Sequence, residues 1–260
     1  MQFAVTGFRY VDYKKNKILK SNILKLIIIS TLIIITFLTL TLSYLKYDKN
    51  DYLNVKKFYY VSISKSNSSN KVKEESLKVK EMGGAGYLLN ISGINHLLVF
   101  GYMKREDAMK VKDQLDNIYP SVEIIERIIP AIKRKIRSII INEISIKNIF
   151  KNFDKIGSEI YNLCLNFDKL QVSISEINKI LTKTFLDLQD ALNIINSNKF
   201  KHIPEEITVQ IKTSLNFVVE AIKTCISEVY KGENISSNLK LLFVNICEGE
   251  FYLKENLNKF

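Results

Sequence analysis

Several residue types that build catalytic and metal centres are scarce in this chain. Its 260 residues include two histidines, three cysteines, three prolines and nine glycines. The sequence contains no HExxH segment, no serine–histidine–aspartate arrangement and no glycine-rich phosphate loop. These absences argue against a metalloprotease, a serine hydrolase or a P-loop enzyme. We therefore expect no enzymatic activity, no cofactor and no metal site.

The cysteines and histidines also lack the spacing of a reactive centre. Cys164, Cys225 and Cys247 are odd in number, so they form no complete disulfide framework, and no pair has metal-ligand spacing. Their apolar, helix-like contexts predict buried free thiols. His96 lies in a predicted strand with no acid or cysteine near it in sequence, and His202 lies at a predicted helix break. Neither position indicates a catalytic base.

The charge of the chain is strongly basic, with a formal net charge of +11. Such a balance is compatible with a nucleic-acid partner, an acidic membrane surface or a solvated surface without a partner. Lysine, isoleucine and asparagine recur along the whole chain, which accounts for much of the charge. Because no motif that reads DNA or RNA is present, we expect no nucleic-acid partner.

One long apolar run, Leu26–Leu45 (LIIISTLIIITFLTLTLSYL), has no charge over 20 positions. A helix of that length spans ~30 Å, the thickness of the hydrocarbon core of a bilayer. A buried core helix or a cleaved signal peptide is the alternative, but no small-residue cleavage site follows. The basic residues that precede the run are Arg9, Lys14, Lys15, Lys17, Lys20 and Lys25. This asymmetry predicts a single-pass anchor in the cell membrane, in contact with lipid, with a cytoplasmic N-terminus and residues 46–260 outside the cytoplasm.

The middle of the chain alternates between strand-like and helix-like segments. Period-two alternation and turn residues predict strands over 58–64, 85–91, 94–102 and 122–128, and helices over 72–82 and 104–118. Two strand–helix units that meet through a hairpin give a four-stranded antiparallel sheet with both helices on one face. Gly101 lies where the third strand ends, and a residue without a Cβ suits a bulge or a positive φ there.

Residues 57–129 resemble the SPOR (sporulation-related repeat) domain of bacterial cell-envelope proteins. In the second half, Gly101-Tyr102-Met103 ends a strand, Lys104–Asp107 makes a polar step, and Ala108 and Leu115 lie in the helix that follows. In the first half, YYVSIS…VKEMGGAGYLL matches the opening strand, helix, glycine and second strand. The resemblance implies an RNP-like βαββαβ fold that binds septal peptidoglycan glycan strands through the open face of its sheet.

Strand alternation assigns residues to that open face. Val61 and Ile63 are predicted to point toward the two helices, as are Leu98 and Phe100. The predicted peptidoglycan-binding residues are Tyr60, Ser62, Leu97, Val99 and Glu123. With Ile125 beside them, Leu97 and Val99 make this face partly apolar. Two alternatives to glycan binding follow. The face meets another protein, as exposed apolar surfaces commonly do, or the C-terminal helices of this chain cover it.

The C-terminal half changes in character after Pro130. Apolar residues recur at helical spacing from 131 to 260, with breaks at 198–203 and 232–234, and predict a bundle of about four helices. Pro204, followed by two glutamates, predicts the start of a helix.

Together these features predict an α+β protein with five parts. They are a basic cytoplasmic segment (1–25), a transmembrane helix (26–45), a linker (46–56), a SPOR-like domain (57–129) and a helical bundle (131–260). The predicted function is a membrane-anchored extracytoplasmic protein that binds septal peptidoglycan in cell division or sporulation, with division or sporulation proteins as further partners. The alternative is a membrane-tethered interaction scaffold whose SPOR-like fold does not bind glycan.

Overall fold

A computed structural model describes residues 53–197, Phe200 and residues 203–260, which fall within one compact unit. The strands are β1 (Lys56–Ser66), β2 (Tyr87–Ile91), β3 (Ile94–Tyr102) and β4 (Glu123–Ile129). The helices are α1 (Ser69–Glu81), α2 (Arg105–Leu115), α3 (Arg134–Asn142), α4 (Ile144–Asp168), α5 (Ile174–Ser197), α6 (Glu205–Lys231) and α7 (Ile235–Leu257).

The sheet has the predicted architecture. Its strand order is β2-β3-β1-β4 and every neighbouring pair is antiparallel. The bounds of the strands agree with the predicted ones to within two residues. The agreement is close because alternation and turn residues mark the strands clearly in the sequence. The α+β class and the four-stranded antiparallel sheet are confirmed.

The sequence prediction assigned β3 to the wrong faces of the sheet. Phe100, which was predicted to point toward the two helices, contacts the bundle instead, whereas Leu97 and Val99 pack on the helical side. Leu97 and Val99 are two residues apart and share one face, so alternation itself holds in this part of β3. Pairing with β1 is irregular here: Ser62 pairs with Leu98 and Ser64 pairs with Leu97, so Val99 and Ile63 have no direct partner across the strands.

The two helices of the sheet module cover one face of the sheet. Val72 and Val79 of α1 form a buried cluster with Ile63 and Leu97. This cluster is the core on the helical side of the module, and apolar burial of this kind is the main stabilising term for such a small layer.

The opposite face of the sheet carries the bundle. Phe58 and Phe100 contact Phe243 of α7, with ring centroids 5.9 and 5.6 Å apart. Tyr161 of α4 packs against the same Phe243 at 5.1 Å. The sheet module and the bundle therefore share one hydrophobic core, in which α7 is the central helix.

The bundle has five helices because the first predicted helical stretch is broken at Glu143. That residue is extended (φ −99°, ψ 104°) and separates α3 from α4 without a glycine or proline. The apolar stripes on the two sides are out of phase: Ile140 and Ile146 are buried, whereas Ile144 is 72% exposed. A continuous helix could not bury both stripes.

The predicted membrane anchor requires a correction. Within the described part of the chain, no helix is long and apolar enough to cross a bilayer. Even α7, which is buried on most sides, carries Lys240, Glu248 and Lys254. The predicted span, Leu26–Leu45, lies outside the described residues. The single-pass anchor and the cell-membrane location deduced from it are therefore not supported.

Gly101 has a different role from the predicted one. It lies within β3, and its φ is not in the left-handed region. A Cβ at this position would lie 2.8 Å from the Tyr60 ring and 3.3 Å from the Phe243 ring. Glycine is therefore required for the close approach of the Tyr60 ring to the strand.

We expect Gly101→Ala to destabilise the protein by about 1–3 kcal/mol, because both rings lie in the core and must shift to admit the methyl group. The midpoint of urea unfolding measures the effect. Gly157→Ala is the matched control, since a Cβ there would be 3.7 Å from Ile246. In a helix this change should raise stability by about 0.5–1 kcal/mol. Equal midpoints for the two variants would contradict the assignment.

Candidate functional site

The five predicted binding residues do not form an accessible surface. Tyr60, Ser62 and Leu97 have relative exposures of 0, 1 and 0%. Val99 is half-buried, and the side chain of Glu123 is 34% exposed. Only Glu123 keeps an accessible polar group, and the structure does not bring the five side chains together at one face.

Tyr60 is covered for one reason, and Leu97 and Val99 for another, while Ser62 is buried and donates to the Ser64 carbonyl oxygen at 3.1 Å. The Tyr60 hydroxyl reaches α7, on the bundle side of the sheet. Leu97 and Val99 pack instead with Val79 of α1, on the helical side. The strand is apolar at four consecutive positions, 97–100, so its sequence does not distinguish the two faces, and the prediction assigned Leu97 and Val99 to the wrong one.

A buried hydrogen-bonded ion pair joins β1 and β4 to α7. The Tyr60 hydroxyl donates to Glu248 Oε1 at 2.9 Å, and Arg127 donates to both Glu248 oxygens at 3.1 and 2.6 Å. The Arg127 guanidinium also lies 3.4 Å from the centroid of the Phe251 ring. Burial, reinforced by Cys247 and Glu248, raises the pKa of Tyr60 well above its usual value, so this hydroxyl remains a donor.

A second buried carboxylate, that of Glu250, lies two residues further along the same helix. Glu250 Oε1 accepts from Lys56 Nζ at 2.7 Å and lies 2.9 Å from Lys254 Nζ. Lys56 Nζ also lies 2.5 Å from Asp154 of α4. Burial alone would raise the pKa of Glu250, but Lys254 and Lys56 outweigh it and hold that pKa below its ordinary value.

The ion pairs around Glu248 and Glu250 have a structural role, because the carboxylate oxygens of both residues are bound to the cations beside them. The side chain of Glu248 is fully buried and that of Lys56 is 19% exposed. A cavity of about 290 Å³ opens beside Lys56, Asp154 and Glu250, so solvent reaches this end of the network, where the Asp154 side chain is 46% exposed. The arrangement holds β1, β4, α4 and α7 together and presents no free nucleophile or base.

Glu123 has a polar environment of its own at the rim of the sheet. Its Oε1 lies 2.8 Å from His96 Nδ1, and its Oε2 accepts from Lys65 Nζ at 3.4 Å. His96, which has no acid near it in sequence, thus acquires one through the sheet. Both oxygens of Glu123 already have partners.

The described residues contain no metal site and no exposed thiol. Among residues 53–197, 200 and 203–260, no group of three histidine, cysteine, aspartate or glutamate side chains could hold a metal ion. Cys164, Cys225 and Cys247 are buried and free, as predicted. Burial raises the pKa of each thiol, to about 12 for Cys225, so all three stay protonated.

Sequence reasoning missed Glu248 and Glu250, although a signal was present. They interrupt an apolar run, LLFVNICEGEFYL, in a helix that has apolar residues on every side. Acidic residues in such a run are buried with a cation or they destabilise the helix.

Comparisons with known proteins find no match to this chain: no model of a known family, no curated protein and no solved structure matches it. The resemblance to the SPOR family therefore stays a prediction, based on the residues of the sheet module and on the order of its strands and helices.

We expect Tyr60→Phe to lower the free energy of unfolding by about 1.5–3 kcal/mol, because a buried hydrogen bond to a carboxylate is lost. Tyr59→Phe is the control, since the Tyr59 side chain is only half-buried. Its effect should stay within about 0.5 kcal/mol. Chemical unfolding of both variants measures the difference, and equal stabilities would show that the Tyr60–Glu248 bond contributes nothing.

We expect Glu250→Gln to cost about 3–5 kcal/mol at neutral pH, since it leaves Lys56 and Lys254 without their buried partner. The folded pKa of Glu250 lies below its ordinary value of 4.5. Its contribution is therefore complete above that pH and is lost as the pH falls toward the folded pKa.

The pH dependence of unfolding separates this effect from general destabilisation. Below pH 4.5 the stability of Glu250→Gln should fall less steeply than that of the unchanged protein. Glu255→Gln, an exposed substitution on the same helix, is the control and should leave the slope unchanged. Parallel curves for all three proteins would refute the role of Glu250.

Proposed function

We propose that this chain is a non-catalytic interaction scaffold in which the SPOR-like sheet does not bind glycan. One observation carries the proposal: α7 occupies the face of the sheet that would bind a glycan strand, with Glu248 bonded to the Tyr60 hydroxyl at 2.9 Å. This face of the sheet binds the bundle, so other macromolecules would contact the outer surfaces of the helices instead.

Opening the sheet face would be costly. Removing α7 would leave Glu248 and Arg127 without each other, and Glu250 without Lys56 and Lys254. Separating a buried ion pair costs several kcal/mol, and the aromatic contacts around Phe243 would be lost as well. The hydrogen bonds that a saccharide strand could offer to the opened face are too weak to repay both losses.

A pelleting assay with purified wall glycan tests the proposal. The glycan is stripped of stem peptides and of attached anionic polymers, and the full chain is mixed with it. We expect the chain to remain in the supernatant at every glycan concentration. This result follows from burial, because Tyr60 and Ser62 cannot contact the ligand.

Glu123→Gln is the informative variant, because Glu123 is the most accessible of the predicted residues and its removal leaves the buried network intact. If the unchanged chain pellets with the glycan and folded Glu123→Gln does not, the sheet rim binds glycan and the proposal is wrong. Circular dichroism verifies that the variant is folded.

A further inference from the structure

The positive charge of the described part is concentrated at the start of the bundle. Residues 131–155 contain seven basic and two acidic residues, a net charge of +5, whereas residues 53–260 as a whole carry +6. The seven basic residues are Lys133, Arg134, Lys135, Arg137, Lys147, Lys151 and Lys155. The excess is therefore local to α3 and the first half of α4.

Most of these cations face solvent without a carboxylate. Lys133, Arg134, Lys135 and Lys151 are exposed and Lys147 is half-buried. Of the described acidic side chains, none forms an ion pair with any of these five. The contact of Lys135 Nζ is with the Phe260 carbonyl oxygen at 3.5 Å.

The acids of this stretch do not neutralise it. Asp154 points to Lys56 at 2.5 Å and so belongs to the network beneath α7. The first turn of α3 contains no acid, although acids are the residues that stabilise the positive end of a helix. Three consecutive cations at that end are unfavourable for α3 itself, and a bound anion would relieve this.

The spacing of the cations is regular. Lys147, Lys151 and Lys155 follow one another at intervals of four residues, which places them on one face of α4 about 6 Å apart. The helices α3 and α4 meet at Glu143, so the cations at the start of α3 lie within ~15 Å of that joint.

We propose that Lys133, Arg134, Lys135, Lys147 and Lys151, the basic surface, bind a linear polyanion through its repeating phosphate groups. Lys147 and Lys151, about 6 Å apart on one face of α4, and the three consecutive cations at the start of α3 supply repeated single positive charges, which suit an extended chain that carries one negative charge per unit. The aromatic residues of this stretch, Phe150 and Phe153, are buried. The surface therefore offers no stacking platform, and recognition is independent of sequence.

A lipid surface fits these observations less well. Membrane-surface helices combine cations with a broad exposed apolar face. Within residues 131–155, Ile144 is the only large apolar side chain counted as exposed. One side chain is too little to insert into a bilayer, so a polymer is the better match.

Binding of two probes to the full chain tests the proposal: a labelled oligothymidylate of about twenty nucleotides, and inorganic polyphosphate as its competitor. We expect both to bind, with an affinity that falls steeply with salt. Five contacts would give a slope of the logarithm of the binding constant against that of the salt concentration near −3.5, at about −0.7 per contact.

The test variant replaces all five residues of the basic surface by glutamine. We expect it to lose about tenfold or more in affinity and to show a shallower salt slope. The control variant makes five glutamine substitutions at exposed lysines elsewhere, Lys73, Lys104, Lys169, Lys179 and Lys212. It has the same net charge and should bind nearly as well as the unchanged chain.

Three results would overturn the proposal. They are a control variant as weak as the test variant, no binding of either polymer at low salt, and binding only to phosphatidylglycerol vesicles. Residues 1–52 are the same in all proteins, so the difference between variants reports the basic surface. Stripped glycan carries the free carboxylate of each muramic acid, so its pelleting is also measured with the test variant: pelleting that the test variant loses reports the basic surface, whereas pelleting that Glu123→Gln loses reports the sheet rim.

Discussion

The rest of this structure depends on the two carboxylates that α7 turns toward the sheet. A buried carboxylate is unfavourable unless a cation and hydrogen-bond donors lie at fixed positions around it. Arg127 of β4 satisfies Glu248, and Lys56 of β1 satisfies Glu250. Because the cations come from the sheet and the acids from the bundle, these pairs fix the position of α7 on the sheet. Apolar packing around Phe243 buries surface but is non-directional, so it fixes the position of α7 less strictly than the ion pairs do.

Much of the fold could be read from the sequence because its signals are local. Alternation in FYYVSIS, the glycines after α1 and the turn at Ser92-Gly93 mark elements without reference to the rest of the chain. The break at Glu143 has no such marker and appears only as a phase change between two apolar stripes. The facing of β3 was wrong for a different reason: LLVF is apolar at four consecutive positions because both faces of the strand are covered, so the sequence does not show which residues face the helices.

The candidate site could not be predicted, because it depends on which element covers the second face of the sheet. Tyr60 was assigned to the correct side of β1, but whether that side meets solvent or a helix is decided by residues some 190 positions later. Long-range packing of this kind leaves only an indirect trace in sequence, here the acids within the apolar run of α7. The basic surface shows the converse case. Its charged residues can be counted from the sequence. The structure is needed to show that Arg137 is buried and that Asp154 pairs with Lys56, so that neither contributes to the charge of the basic surface.

The position of α7 so late in the chain has a consequence for biosynthesis. The sheet is complete at Ile129, whereas the helix that closes its second face begins at Ile235. Translation proceeds at about 5–20 residues per second, so the ribosome needs roughly 5–20 s to make the intervening segment. During that interval Phe58 and Tyr60 lack the cover of α7, and Phe100 has only Tyr161 of α4 against it, so the nascent sheet exposes an apolar surface that chaperones or neighbouring chains can bind.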